Sequence, residues 1–319
     1  MKRTRILIAE SEGFSPRALR TLRASGASVV AADLAVAELA RAVRSADVLW
    51  VRLRTRIDAA MLARALRLRF LVTATTGLDH IALEEVERRG IRVLSLRGET
   101  DFLRRIHATA EHTLALTLAL LRKLPAAALH ANGGGWNRDL FRGNEIFGRT
   151  VGIVGWGRIG QMVHKLYEAF GAEVLVFDPY AAGVPAPRLS LHELLSRSDI
   201  ITLHASLNEH TRRLIGRTEF SAMRPGARLV NTSRGDLVDE DALLASLRGG
   251  HIAGAALDVV CGEDSRGMEK SLLVEYARAH DNLILTPHIG GCTFESMAAT
   301  EEYLAQRLVA ALQEQVCAA

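Results

Sequence analysis

Three glycines and one acid, spaced along a single stretch, give this chain its clearest chemistry. Residues 151–178 read VGIVGWGRIGQMVHKLYEAFGAEVLVFD. An apolar run, Val151–Val154, leads into Gly155, Gly157 and Gly160. A helical pattern follows, then a second apolar run, Glu173–Phe177, that ends at Asp178. This strand–turn–helix–strand–acid order suits a dinucleotide. Gly155 permits the tight turn, Gly157 lets the backbone approach a pyrophosphate, and Gly160 lets the helix pack on the strand. The N–H groups at the helix start, over Arg158, Ile159 and Gly160, would meet the phosphate oxygens. Asp178 lies 18 residues beyond Gly160. Its carboxylate would accept the ribose hydroxyls and repel a 2′-phosphate, which favours NAD(H) over NADP(H).

Further segments stand where strands of the same series should end. They are Leu203-His204 with Asn208 and Thr211, then the run from Asn231 through Thr232 and Arg234 to Asp239. After these come Ala255 to Glu263, which includes Asp258, and Thr286-Pro287-His288-Ile289-Gly290. In an open parallel sheet, ligands bind beyond the carboxyl ends of the strands, so these segments should share a site. His204 stands equally well as a cofactor contact or as a packing residue. Eight other histidines, His107, His112, His130, His164, His192, His210, His251 and His280, read as structural or surface groups. Cys261 lies near the predicted site without the setting of a nucleophile.

The elements that must position these groups are two runs of alternating strand and helix. The first has predicted strands Arg5–Ala9, Ser28–Ala31, Val48–Arg52, Phe70–Thr73 and Ile91–Ser95, with a helix opening at Ser15-Pro16. A buried helix is expected over Ile106–Leu124, ending before Pro125, and residues 125–148 read as an irregular arm. The second run starts at Val151 and adds Ile200–Leu203, Arg228–Asn231, Gly254–Leu257 and Leu283–Leu285, and a terminal helix covers about Thr293–Gln313. Repeated βα units imply parallel sheets.

Taken together, the segments resemble the D-isomer-specific 2-hydroxyacid dehydrogenase family, of the 3-phosphoglycerate dehydrogenase type, over nearly the whole chain. Thr75-Thr76-Gly77-Leu78-Asp79-His80-Ile81 matches its substrate-side glycine loop, and Ala110-Glu111-His112-Thr113 matches the helix joining its domains. The resemblance implies two doubly wound parallel-sheet α/β domains, a flavodoxin-like substrate domain and a Rossmann NAD-binding domain, with an interdomain cleft. It places the substrate-binding domain at 1–100 and the NAD-binding domain at 101–289. It makes residues 290–319 a C-terminal helix returning to the first domain. It also implies a homodimer formed through residues 106–148.

The resemblance makes Arg234, Glu263 and His288 the catalytic set. Hydride addition to a keto carbon builds charge on oxygen, and a histidine can supply the proton. A carboxylate on the other ring nitrogen fixes the ring and favours the imidazolium. Arg234 can bind the substrate carboxylate and polarise the carbonyl with its fork of donors. The nicotinamide carries the hydride, so the protein mainly orients and stabilises. Asp258 would hold the nicotinamide carboxamide, with His204 and Thr232 on the cofactor side. Thr75, Thr76 and Gly77 would hold the substrate carboxylate. Arg52, Arg54 and Arg56 form either a solvated loop or a site for a second anionic group. Two departures from the family stand out. Glu263 is followed by Asp264-Ser265-Arg266-Gly267-Met268 rather than directly by proline, so its loop is expected to run differently. The segment Leu96–His107 is longer and more charged than the usual turn.

Bulk properties agree with an oxidoreductase acting on a small acid. At 319 residues, with 49% hydrophobic and 24% charged side chains, the chain has room for two cores. Residues 1–100 carry 18 Lys/Arg against 11 Asp/Glu, whereas the rest carries 22 against 25. The positive excess lies outside the cofactor half, where a small anionic substrate would benefit. No interleaved basic–aromatic pattern marks a nucleic-acid surface. Three cysteines give no disulfide framework and no metal spacing. MKRTRILIAE reads as a first strand rather than a signal peptide, and a membrane helix would need ~20 apolar residues in a row, so a cytoplasmic protein is expected. Two readings compete with a D-2-hydroxyacid dehydrogenase: a phosphite-type dehydrogenase, and an NAD-responsive corepressor-like binding protein on the same fold. These motifs specify the acid's reacting carbon and leave its side chain, and the direction of reaction, open.

Overall fold

The computed structural model describes residues 3–185, 189–263 and 268–317. The chain divides into two compact units, one of residues 1–106 with 293–319 and one of residues 107–292.

The first unit is built on a parallel sheet of β1 (Arg5–Ile8), β2 (Ser28–Ala31), β3 (Val48–Val51), β4 (Phe70–Thr73) and β5 (Arg92–Leu94) in the order β2-β1-β3-β4-β5. This is the flavodoxin-like order, which reverses direction between β1 and β3. The apolar runs β3 and β4 are buried throughout, as strands covered by helices on both faces require. The helix Pro16–Ala24 starts where expected: the Ser15 hydroxyl accepts the Ala18 N–H at 3.3 Å, and Pro16 takes the position whose N–H has no helical partner. The C-terminal helix Phe294–Cys317 also packs into this unit, with Leu304, Ala305, Leu308 and Ala311 joining Ile6, Ile8, Trp50 and Phe70 in one core. The segment after Leu96 holds a short helix, Thr100–Leu103. Phe102 stacks on Tyr303 at 4.1 Å, and the Glu99 carboxylate accepts from Tyr303 and Arg307.

The second unit carries β6 (Thr150–Val154), β7 (Glu173–Phe177), β8 (Ile200–Leu203), β9 (Arg228–Asn231), β10 (Gly254–Leu257) and β11 (Leu283–Leu285), all parallel. Their order is β11-β10-β9-β8-β6-β7, so the winding reverses between β6 and β8. The helix Ala108–Leu121 lies against this sheet. Its all-round apolar sequence is used: Ala110, Leu116, Leu120 and Leu121 sit in a core with Ile153, Val163, Tyr167 and Ala256.

The arm at 125–148 departs from the sequence reading. Lys123, in the left-handed region at φ 52°, ends the long helix, and a second helix runs from Leu124 to Asn132. Pro125 falls in its first turn, where a missing N–H costs nothing, and the Ala-rich run after it favours helix. A 3₁₀ turn follows at Arg138–Phe141. Among the described residues, no single helix is long and apolar enough to cross a membrane.

Candidate active site

The register of the second sheet assembles the site. Val154 pairs with Phe177 and Leu203, Leu203 with Asn231, Asn231 with Leu257, and Leu257 with Leu285. The residues one step beyond this row are therefore Gly155, Asp178, His204, Thr232, Asp258 and Thr286, side by side on the carboxyl edge of the sheet. They come from six loops, and the pairing of the strands alone brings them together.

At the reversal between β6 and β8 the chain turns sharply. Gly155 has φ 105°, and a Cβ there would come within 2.6 Å of the His204 backbone. A Cβ on Gly160 would overlap the Gly155 carbonyl oxygen, so the helix Arg158–Ala169 packs on the turn only through a glycine. Gly157 is the N-cap of that helix, supplies no side-chain cap, and faces open space where its Cβ would be. That open space at the helix start is where the backbone can approach a pyrophosphate closely. Arg158 is half-buried, and burial lowers its pKa.

Asp178 is bonded to the same turn through Trp156 N. Burial pushes its carboxyl up, but backbone N–H bonds from Trp156, Tyr180 and Ala181, at 2.8–2.9 Å, outweigh this and hold it below the usual range. An ionised carboxylate stands there at any working pH. His204 donates its backbone N–H to Val154 O, while its Nε2 is buried without a hydrogen-bond partner. Burial pushes its imidazole down to about 3, so it is neutral.

Asp258 is the most heavily bonded acid of the site, at 1% exposure. Its Oδ1 accepts from Thr286 Oγ1 at 2.6 Å and from Ile289 N at 2.9 Å, with His112 Nε2 at 3.2 Å, and its Oδ2 accepts from Gly290 N at 2.7 Å. Desolvation raises its pKa, and these donors more than reverse that, so the carboxylate is ionised. Its carbonyl accepts the His288 N–H at 2.9 Å. Asp258 therefore fixes the backbone of the 288–290 loop from several sides. His288 occupies the left-handed region at φ 53°, a conformation a non-glycine residue holds only when its surroundings impose it.

The His288 side chain is set by Glu263: Nδ1 and Oε1 form a short hydrogen bond, and Glu263 Oε2 accepts from Val260 N at 3.2 Å. Nδ1 carries the proton toward the carboxylate, which leaves Nε2 as the ring atom able to exchange one with a ligand. Arg234 is held by its own loop. Asn231 Nδ2 donates to Arg234 O at 2.8 Å, Asn231 Oδ1 accepts from Ser233 N, and Ser233 Oγ donates to Ala205 O. The next residue, Gly235, lies so close to the Val260–Cys261 backbone that any Cβ would overlap it, which seats the Arg234 loop directly on the strand end leading to Glu263. Residues 264–267, where the departure from the family pattern falls, lie outside the described residues.

Residues 114–290 match the family model of the D-isomer specific 2-hydroxyacid dehydrogenase, NAD binding domain. The chain belongs to this family. NAD(H) is accordingly the cofactor of the second unit, and the open cradle at Gly157 and the ionised Asp178 fit it. The D-3-phosphoglycerate dehydrogenase of Mycobacterium tuberculosis is 40% identical over 264 residues, which make up 81% of this chain and 48% of that protein. The chain thus spans about half the length of the curated relative. The TT0316 protein of Thermus thermophilus superposes with TM-score 0.85 at 37% identity, covering 98% of this chain and 97% of its own. The D-lactate dehydrogenase of Aquifex aeolicus, solved with NAD and lactic acid, superposes with TM-score 0.84 at 26% identity, covering 98% and 96%.

In the first unit of this dehydrogenase-family chain, Thr75, Thr76 and Gly77 follow β4. The Thr75 hydroxyl donates to Gly77 O at 2.7 Å and lies 3.1 Å from Thr73 Oγ1, which stiffens the loop. Arg54 is 52% exposed and paired with Asp33 at 3.0 Å. His112, read from the sequence as a structural or surface residue, places Nε2 within 3.2 Å of Asp258 Oδ1 and Thr286 Oγ1 and so joins the site's hydrogen-bond network. Thr113 was also missed. It spends its proton on Thr109 O, so the Thr232 hydroxyl donates to it at 2.8 Å. The Ala110–Thr113 segment was the available signal, but its partners lie far along the chain and only the fold brings them there. The exposed Cys261 lacks the electropositive setting that activates a nucleophile: partial desolvation, then the nearby Glu240, push its thiol up to about 12.

Proposed function

We propose that the chain is an NAD-dependent oxidoreductase that interconverts a D-2-hydroxy acid and its 2-keto acid. The observation that carries this reading is the His288–Glu263 pair, held at the same sheet edge as the Gly155–Gly160 turn. NADH supplies the hydride when bound. His288, oriented through Nδ1 by Glu263, delivers a proton from Nε2 to the carbonyl oxygen on reduction and removes it on oxidation. Arg234 binds the carboxylate and polarises the carbonyl. Asp258, with one acceptor position left on Oδ2, receives the carboxamide and at the same time holds the His288 loop. Gly155, Gly157, Arg158, Ile159 and Gly160 take the pyrophosphate, Asp178 the ribose, and His204 and Thr232 line the nicotinamide side. Thr75, Thr76 and Gly77 hold the substrate carboxylate, so the first unit is the substrate-binding domain and the second the cofactor domain.

The active form in this reading is a homodimer. Leu129 (76% exposed), Trp136 (93%) and Phe147 (76%) lie within residues 106–148, and a second copy would cover them.

The test is NADH oxidation followed against a panel of 2-keto acids, with the configuration of the product determined. A D-hydroxy acid from at least one of them is the expected result. Tight NADH binding with no turnover on any of them would overturn the reading in favour of an NAD-responsive binding protein.

A further inference from the structure

In the first unit, Ile8 registers with Trp50 and Val51 with Thr73, so β1, β3 and β4 end together where the sheet order reverses. A ligand of this unit meets the loops that leave those ends: Ala9–Glu12, Arg52–Arg56 and Ala74–His80. The charges on these loops are already matched within the unit. Arg52 donates Nε (3.0 Å) and Nη2 to Glu301 Oε1, and Nη1 to Glu12 O at 2.7 Å. Glu301 is 1% exposed, and its other oxygen accepts from Ser15 N at 2.7 Å. Arg54 pairs with Asp33, and the buried Glu10 accepts from the Arg54 and Thr55 N–H groups at 3.3 and 3.1 Å. Arg52 and Arg54 are thus paired with Glu301 and Asp33, and the Glu10 carboxylate stands between them on backbone N–H groups. Residues 73–81 contain neither Lys nor Arg. From the far side, Arg97 donates Nε to Thr76 O at 3.4 Å, which sets one guanidinium beside the substrate loop.

We infer that the first unit selects an acid with one anionic group, its carboxylate, and rejects one that also bears a phosphate, because the Arg52–Glu301 pair ties the C-terminal helix to β3 and is not free to bind an anion. This rests on the dehydrogenase reading above and narrows its substrate class. For Arg52 to serve a phosphate it would have to leave Glu301, stranding a buried carboxylate, and losing one partner of a buried pair is strongly unfavourable. Burial already raises the Glu301 pKa, against the pull of the Ser15 N–H and Arg52, so its charge depends on that partner. The phosphate's own two charges would meet Glu10, Asp33 and Glu301 at close range. The M. tuberculosis relative is named for a phosphorylated acid, and in this inference the present chain differs from it in substrate.

The test compares D-glycerate with D-3-phosphoglycerate, which differ only by the phosphate, in wild type, Glu301→Gln and Asp33→Asn. Asp33→Asn alters an exposed pair and leaves folding intact. The wild type should favour D-glycerate in kcat/KM by at least about tenfold, and each variant should narrow that ratio by about tenfold, the effect of one freed charge-assisted hydrogen bond. A wild type that prefers D-3-phosphoglycerate, or variants that leave the ratio unchanged, would overturn the inference. Calorimetric titration of NADH-loaded protein with D-3-phosphoglycerate decides the question without turnover: tighter binding to the variants supports it, and equal or tighter binding to wild type refutes it. Absence of turnover on both acids and on the whole keto acid panel would therefore count against the dehydrogenase reading alone. As a further check, Arg52→Met combined with Glu301→Leu replaces the pair with apolar groups. It should leave the KM for the best monocarboxylate unchanged, whereas an anion-binding Arg52 would raise it.

Discussion

Replacing Asp258 should cost stability and the His288 geometry together, and the size of the loss follows from its bonds. Its buried carboxylate takes Thr286 Oγ1, Ile289 N, Gly290 N and His112 Nε2. A hydrogen bond to a charged group contributes about 1.5–3 kcal/mol, and an orphaned buried donor costs about 1–3 kcal/mol. These costs do not add fully, since water can enter the space left by Asp258→Ala, so a net loss of about 3–5 kcal/mol is expected. Asp258→Asn keeps the shape but turns an amide N–H toward Gly290 N–H, a clash of donors worth about 1–3 kcal/mol. The loss should also depend on pH. The folded-state pKa of Asp258 lies below its unfolded value, so in that window the unfolded chain binds more protons and stability rises with pH. The stabilisation is complete above the ordinary carboxylate value and disappears as pH falls through the folded one. Denaturant unfolding of wild type and Asp258→Asn from neutral to strongly acidic pH measures this directly. The gap between them should be full at neutral pH and close in acid. A gap below about 0.5 kcal/mol at neutral pH, or one independent of pH, would refute the clamp.

Further expectations concern the cofactor and the assembly. Gly160→Ala drives a Cβ into Gly155 O, so the turn must open; NADH affinity measured by fluorescence should fall by about 10–100-fold, the equivalent of 1.4–2.8 kcal/mol. Asp178→Ala removes the ionised carboxylate proposed to face the ribose, and the ratio of NADH to NADPH affinity should drop by about tenfold or more in a binding titration. Trp136→Asp with Leu129→Asp places charges on the exposed arm, and sedimentation should show a shift from dimer to monomer.

Much of the fold was legible because each strand is an apolar run bounded by turn residues. β2, β4, β7, β8, β9, β10 and β11 begin and end where the pattern puts them. The arm misled the sequence reading because Pro125 suggested a stop, whereas it opens a new helix after the left-handed Lys123. The glycine turn could be foreseen because backbone close approach tolerates no other residue, and Gly155 and Gly160 occupy such contacts. The His288–Glu263 pair was likewise expected from its spacing in the family pattern and is present. His112 and the Arg52–Glu301 tie were not legible. Their partners lie 146 and 249 residues away in sequence, and no local pattern distinguishes an arginine matched by a buried acid from one awaiting a ligand.

In the proposed reaction His288, oriented by Glu263, moves the proton that accompanies hydride transfer. The most direct measurement compares His288→Gln with wild type in two readouts, NADH affinity and the turnover of whichever 2-keto acid the wild type reduces best. NADH affinity should be unchanged and turnover reduced by about 10²–10⁴-fold, the usual contribution of a positioned acid–base group. Turnover within about twofold of wild type would contradict this role.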